Sequence, residues 1–282
     1  MILQPGGGAR ERAALEASFE TLGTVLAAPE WIALKDGLLQ QVSAVDIWSR
    51  PDRHALFARI AMMDSVEEAA RTADRLHRRL MSRGTQPSGA SRELVGRLAL
   101  QLHLIEQGIT DVHTQAPADV VIAVEPIFDA GGEVEPSEEW CGRLARMYRQ
   151  WAERRRMQFE EMTPPSRDGD ALLHVTGFGA FRTLDNEAGL HVLEDAVTGR
   201  RSVARVKVAR GPQEEPRGRE AYRTYSALLA LAGEPTSIIR RYRENPAPLV
   251  RDARDGWRTG RFEAVLSGDF DLFGHAKASS TD

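Results

Sequence analysis

Apolar positions recur at intervals of three and four along the first third of the chain. Residues 9 to 28, 29 to 42, 54 to 83 and 91 to 108 therefore read as helices, and Leu56, Ile60, Met63, Ala70 and Leu76 illustrate one apolar stripe uninterrupted by β-branched runs. The turn formers of "SRGTQPSGAS" (82 to 91) separate the last two. This pattern predicts a helical domain over residues 1 to 115. At "APADVVIAVEPIF" (116 to 128) the texture changes to a short β-branched run between prolines, which predicts a buried strand. The loop "DAGGEVEPSEE" follows, its carboxylates suited to the positive end of a helix dipole. In "WCGRLARMYRQWAERRR" (140 to 156), Trp140, Leu144, Met147 and Trp151 lie at i, i+4, i+7 and i+11, so the helix turns its large apolar side chains toward a core. Alternation predicts strands over 171 to 184, 201 to 210 and 237 to 242, and helices are predicted over 218 to 232 and 260 to 275. The expected fold class is α+β, an N-terminal helical domain followed by an α+β body over 116 to 282.

Length supports this division, because 282 residues suffice for two domains of ordinary size. The single cysteine, Cys141, excludes an internal disulfide framework and a cysteine-based zinc cluster, and favours a reducing compartment. The first residues lack the basic start and apolar run of a signal peptide, and no stretch of about twenty apolar residues follows. A soluble cytoplasmic protein with no membrane partner is expected. The net charge of −4 is unevenly spread: "RRSVARVKVAR" (200 to 210) is basic without an acidic residue, and 240 to 261 is rich in arginine.

Recognisable catalytic patterns are missing from the chain, among them the phosphate loop with its Lys-Ser/Thr, the Rossmann glycines, His-Glu-x-x-His and Gly-x-Ser-x-Gly. Cys141 flanks the apolar stripe and reads as a buried structural thiol. Glu187 and His191 are four apart, but Gly189 between them predicts a turn and no nucleophile is near, so a catalytic pair is disfavoured. The remaining histidines have no metal-ligand spacing. No catalytic residue, metal or cofactor is expected, and the chain is not read as an enzyme. In the basic strand, arginine stands on both parities, which simple burial of one face does not explain. Arg200, Arg201, Arg205, Lys207 and Arg210 are the candidate RNA contacts. Arg143, Arg146 and Arg149 read instead as a solvated or salt-bridged helix face.

Three ordered segments together resemble the bacterial class I peptide chain release factors, in particular the release factor two type. The first joins Gly131 and Gly132 to Trp140, Arg146, Met147, Tyr148 and Trp151. The second is "GFGAFRTLDNEAGLH", in which Gly177, Ala180, Leu184, Glu187, Ala188, Gly189 and His191 keep the family's order and spacing. The third is "PLVRDARDGWRTGRFEAVLSGDFDLF" (248 to 273), and "DIWSRPDRH" (46 to 54) is a weaker echo. The resemblance runs from about residue 30 to 273. It implies a helical domain that faces the ribosomal stalk base and an α+β body that sits in the decoding centre.

Departures from the family shape the functional expectation. Family members hydrolyse peptidyl-tRNA with a Gly-Gly-Gln motif on a separate domain of roughly a hundred residues; this sequence contains no Gly-Gly-Gln, and only a short segment joins Arg210 to the helix near Arg219. The resemblance therefore implies that the catalytic domain is deleted between about 210 and 219, leaving no preorganised donors at the reacting ester. After His191 the family's Ser-Pro-Phe tripeptide is replaced by "VLEDAVTGRRSVARV", and Ser202 stands where a base-stacking histidine is expected. Base-specific contacts are lost while Arg200 and Arg201 can still attract phosphate. The expectation is a release-factor-like protein that binds the ribosomal A site, in particular on stalled or damaged ribosomes, without reading stop codons or releasing peptide, with a separate hydrolytic or repair protein as a further partner. Alternatives are an off-ribosome RNA-stabilising protein, an interaction subunit that has left RNA, and an intact termination factor.

Overall fold

A computed structural model of the chain describes residues 8–82, 89–127, 134–162, 172–212, 216, 218–254 and 256–271. The chain divides into two compact units between Pro117 and Ala118. The fold is α+β.

The first unit is built from α1 (Ala9–Ala27), α2 (Pro29–Val42), α3 (Arg53–Met81) and α4 (Gly89–Thr114). Pro29 opens α2 at a position where a missing backbone N–H costs nothing. The face that α3 buries runs through Met63, Val66, Ala69, Ala73 and Leu80, one step round the helix from the stripe expected at Leu56, Ile60, Ala70 and Leu76, which are only half-buried. Polar side chains tie the bundle through carbonyls that the helices leave open: Arg12 donates to the carbonyl of Leu80 (3.2 Å) and Arg59 to that of Val112 (3.0 Å). Lys35 reaches Asp64 (2.8 Å) and Glu67 (2.6 Å), and Trp31 Nε1 donates to the same Glu67 (3.2 Å).

The second unit is a mixed sheet with helices on both faces. Its strands are β1 (Val120–Ile127), β2 (Gln158–Met162), β3 (Leu172–Thr176), β4 (Gly189–Glu194), β5 (Arg201–Arg210), β6 (Ile238–Arg243), β7 (Leu249–Asp252) and β8 (Arg258–Thr259), in the order β2-β3-β1-β5-β4-β6-β7-β8. Among the described strands only β4 and β6 pair in parallel. Alternation sorts the side chains: Val120 and Ile122 face α5 (Val134–Arg154), whereas Val121 and Ala123 face Tyr225 and Leu229 of α7 (Arg219–Ala232). Trp140, Leu144, Met147 and Trp151 of α5 are fully buried against the first of these faces, and Cys141 lies with them.

The structure corrects several sequence expectations. The strand expected over 171 to 184 stops at Thr176, and Ala180–Leu184 is a turn of helix (α6) after Gly179, whose φ of 76° ends the extended chain. Gly189 is not a turn but opens β4, where its φ is +151° and a Cβ would lie 2.1 Å from Ile239 Cγ1, so the parallel pairing with β6 needs glycine there. Of the helix expected over 260 to 275, residues 272–275 lie outside the described residues; before them the chain forms only Phe262–Ala264 (α8) and then a π-turn at Val265–Asp269. At Gly268 the φ is +93°, and the chain presses so close to α5 that a Cβ would sit 2.5 Å from the Trp151 nitrogen. Strands β2, β7 and β8 had no sequence signal, because they are short and β2 shows the pattern of an edge, with Gln158, Glu160 and Glu161 exposed. Among the described residues no helix is long and apolar enough to cross a membrane.

Candidate functional site

Two arrangements in the second unit bear on function: a closed ionic network under α5, and the basic residues of the sheet. The network begins with Glu187, at the end of a 3-10 turn, and Arg240 on β6, both 3 % exposed at the side chain. Arg240 donates through Nη1 and Nη2 to the two Glu187 carboxylate oxygens at 2.9 and 2.8 Å, and approaches Asp252 at 3.5 Å. Its guanidinium lies over the Trp257 and Phe270 rings, 5.1 and 5.7 Å from their centroids. Tyr148 adds a hydrogen bond to Glu187 at 3.3 Å.

His191 closes the network, and its protonation follows from its partners. One ring nitrogen, Nε2, lies 3.0 Å from the Glu187 backbone carbonyl, which can only accept, so Nε2 carries the hydrogen. The other, Nδ1, then accepts from the Tyr242 hydroxyl at 3.1 Å, whose oxygen in turn accepts from Arg240 at 3.4 Å. Burial, reinforced by the Arg240 charge, pushes the imidazole down to about 3, so it is neutral at physiological pH. Burial alone would lower Arg240, but Glu187, Tyr242 and Asp252 together outweigh it and hold the guanidinium well above its ordinary range. Burial also raises the Tyr148 and Tyr242 hydroxyls, so both stay protonated. Glu187 therefore faces Arg240 rather than the imidazole, and neither residue reaches solvent. The geometry is that of a structural brace.

The release-factor-like motif residues brace the same core. Trp140 Nε1 donates to the His191 carbonyl at 2.9 Å, and Trp151 Nε1 to Asp271 at 2.9 Å, where Arg155 also binds bidentately at 2.8 and 2.6 Å. Met147 and Tyr148 are buried beside them. Gly177 leaves room for Met157, whose Cγ would lie 2.7 Å from an added Cβ. On the outer side of α5, Arg143 pairs with Glu244 at 3.0 Å, Arg146 donates to the Gly142 carbonyl at 3.3 Å and Arg149 pairs with Glu161. Gly131 and Gly132 lie outside the described residues.

The basic strand β5 is divided by its pairing. Arg205 pairs with Glu234, and Lys207 bridges Glu125 (2.7 Å) and Glu234 (2.6 Å). Burial opposes the Lys207 charge, but its hydrogen bonds to those carboxylates raise it, while the Lys207 hydrogen bond lowers Glu234. Arg210 stacks 4.0 Å above the Phe181 ring. Arg200 and Arg201, by contrast, are exposed at the tip of the β4–β5 hairpin, and Arg201 stands 3.9 Å from Glu194. The turn itself is tied by Asp195, which accepts from Val197 N (2.8 Å) and the Thr198 hydroxyl (2.7 Å), so the hairpin is short and self-contained. Among the described residues no group of three or more His, Cys, Asp or Glu side chains is placed to hold a metal.

A profile of the PCRF domain matches residues 36–194, more than half of the 282-residue chain. The chain belongs to the PCRF-domain family. The PCRF match takes in α5, Glu187 and His191 and ends at the last residue of β4, so Arg240, Tyr242 and Asp252, which complete the ionic network, lie beyond it. Among solved structures, RF2 of Thermus thermophilus is similar at 20% identity over 90% of this chain and 97% of that chain, with a TM-score of 0.41. A search of curated proteins gives no match. Sequence reasoning missed Arg240, Tyr242 and Asp252; the available signal was the alternation of "IIRRYR", which puts Arg240 and Tyr242 on one face of β6.

Proposed function

We propose that this PCRF-family protein binds the ribosome in its decoding region without reading stop codons or hydrolysing peptidyl-tRNA. The observation that carries the reading is the way β5 passes to α7. Gly211, directly after β5, donates to the Asp119 carbonyl at 2.7 Å, and α7 starts at Arg219, so the connection is too short to hold a separate catalytic domain. Together with a sequence that contains no Gly-Gly-Gln, this removes the donors that would position water on an ester. The short β4–β5 turn, closed by Asp195 and Thr198, stands where a codon-reading tripeptide is expected, and supports the loss of base-specific contacts while Arg200 and Arg201 retain attraction for phosphate. Binding to stalled or damaged ribosomes, with a separate hydrolytic or repair protein completing the reaction, belongs to the same proposal.

Co-sedimentation with ribosomes at physiological salt tests it. The protein is expected to pellet with ribosomes and to show no stop-dependent peptide release in a reconstituted assay. Failure to pellet, or release of peptide by this chain alone, overturns the proposal. Crosslinking in cells then separates decoding-centre contacts from discrete messenger sites, the latter favouring an off-ribosome role in RNA stabilisation.

A further inference from the structure

The ladder registers place on one side of the sheet a set of arginines that the sequence disperses over residues 201 to 258. Strand parity puts Arg201, Glu194, Arg241, Arg243, Arg251 and Arg258 on the face opposite α5, because Tyr242, Val250 and Ala204 point into the core under α5. On that face the buried side chains packed with α7, Val121, Ala123, Met162, Leu172 and Ala209, lie on β1, β2, β3 and β5, and none of them on β6–β8. Arg241 stands directly opposite Arg251, and Arg251 directly opposite Arg258, so three strands contribute a continuous row of guanidinium groups. Glu194 is the carboxylate interspersed among them: it binds Arg241 at 2.6 Å and lies 3.9 Å from Arg201. Arg251 and Arg258 are exposed, and among the described residues no carboxylate pairs with either.

Like charges directly opposite on neighbouring strands destabilise a sheet. Basic residues on an edge strand deter pairing with another chain, which accounts for Arg258 on the terminal strand. It does not account for Arg251 and Arg241, one and two strands inward. The basic residues of β5 differ, because Glu125 and Glu234 already neutralise Arg205 and Lys207. Each guanidinium of the row offers forked donors that match phosphate oxygens. We infer that this arginine row is a binding site for the phosphate backbone of RNA, with Arg251 and Arg258 as its principal contacts and Arg241, Arg243 and Arg201 beside them. The inference rests on the RNA-binding reading above and assigns that binding to the β6–β8 side of the sheet rather than to Arg205 and Lys207 of β5.

The test measures affinity of the full chain for a labelled double-stranded RNA and a single-stranded RNA across a potassium chloride series. Each phosphate contact contributes about 0.9 to the slope of log affinity against log salt on a duplex and about 0.7 on a single strand, so R251Q/R258Q is expected to flatten the slope by about 1.4 to 1.8. R251K/R258K, which keeps both charges, is expected to restore it, and E194Q to tighten binding. A slope unchanged in R251Q/R258Q, while the wild-type chain still pellets with ribosomes and binds RNA, overturns this site and leaves the proposed function standing. A wild-type chain that binds neither ribosomes nor RNA overturns both. Binding to phosphatidylserine vesicles in place of RNA identifies a membrane surface as the partner and also overturns the inference.

Discussion

Replacing Arg240 by methionine removes the cation on which the ionic network converges. Methionine fills much of the same space between Trp257 and Phe270, so the loss is chiefly electrostatic. The Glu187 carboxylate, with its side chain 3 % exposed, loses both guanidinium hydrogen bonds, and Asp252 loses the guanidinium 3.5 Å away. Among the described residues Glu187 keeps the Tyr148 hydroxyl at 3.3 Å as its side-chain donor. Removing one partner of a buried pair costs about 3 to 5 kcal/mol, the loss expected for R240M. E187Q is milder, because Arg240 keeps Asp252 and the amide still accepts a hydrogen bond, for a loss of about 1 to 3 kcal/mol. Urea unfolding at pH 7, followed by the fluorescence of the buried Trp140, Trp151 and Trp257, measures both through the midpoint at constant slope. A deficit for R240M below about 1 kcal/mol, or an E187Q deficit equal to it, would refute the assignment of Arg240 as the centre of the network, since the expected minimum is about 3 kcal/mol.

Three further outcomes follow from the same geometry. His191 is held down to about 3 against an ordinary 6.5, so the unfolded chain binds a proton that the folded chain refuses; its contribution to stability is complete above 6.5 and is lost at up to about 1.4 kcal/mol per pH unit as the pH falls toward 3. H191Q is expected to remove that slope from the urea midpoints measured between pH 7 and 5, and an unchanged slope counts against a neutral His191. G268A forces a Cβ to within 2.5 Å of the Trp151 backbone at a φ of +93°, so it is expected to cost more than about 2 kcal/mol and to lower the melting temperature by calorimetry; a melting temperature equal to wild type contradicts the close approach. E234Q removes the carboxylate shared by Arg205 and Lys207, and is expected to increase RNA retention and steepen its salt dependence, as filter binding would show.

How far each part of the molecule could be read in advance depends on whether its signal is local. Helices of the first unit and the strand Arg201–Arg210 are local, because periodicities of 3.6 and 2 are written in consecutive residues. The core role of Trp140, Leu144, Met147 and Trp151 was legible for the same reason. Strand β4 was not, because Gly189 reads as a turn until β6 lies against it, and the tight approach of Ile239 comes from 50 residues downstream. The ionic network joins Glu187 to Arg240 across a separation of 53 residues, which no local pattern reports. Charge shows the same division. The sequence by itself placed basic residues at 200–210 and 240–261, whereas only the tertiary structure decided that Arg205 and Lys207 are neutralised by Glu125 and Glu234, that Arg240 is buried, and that Arg241, Arg251 and Arg258 form one row. Strand parity tells which side chains share a face; the order of strands and the reach of α7 decide how much of the face opposite α5 is covered and how much stays exposed.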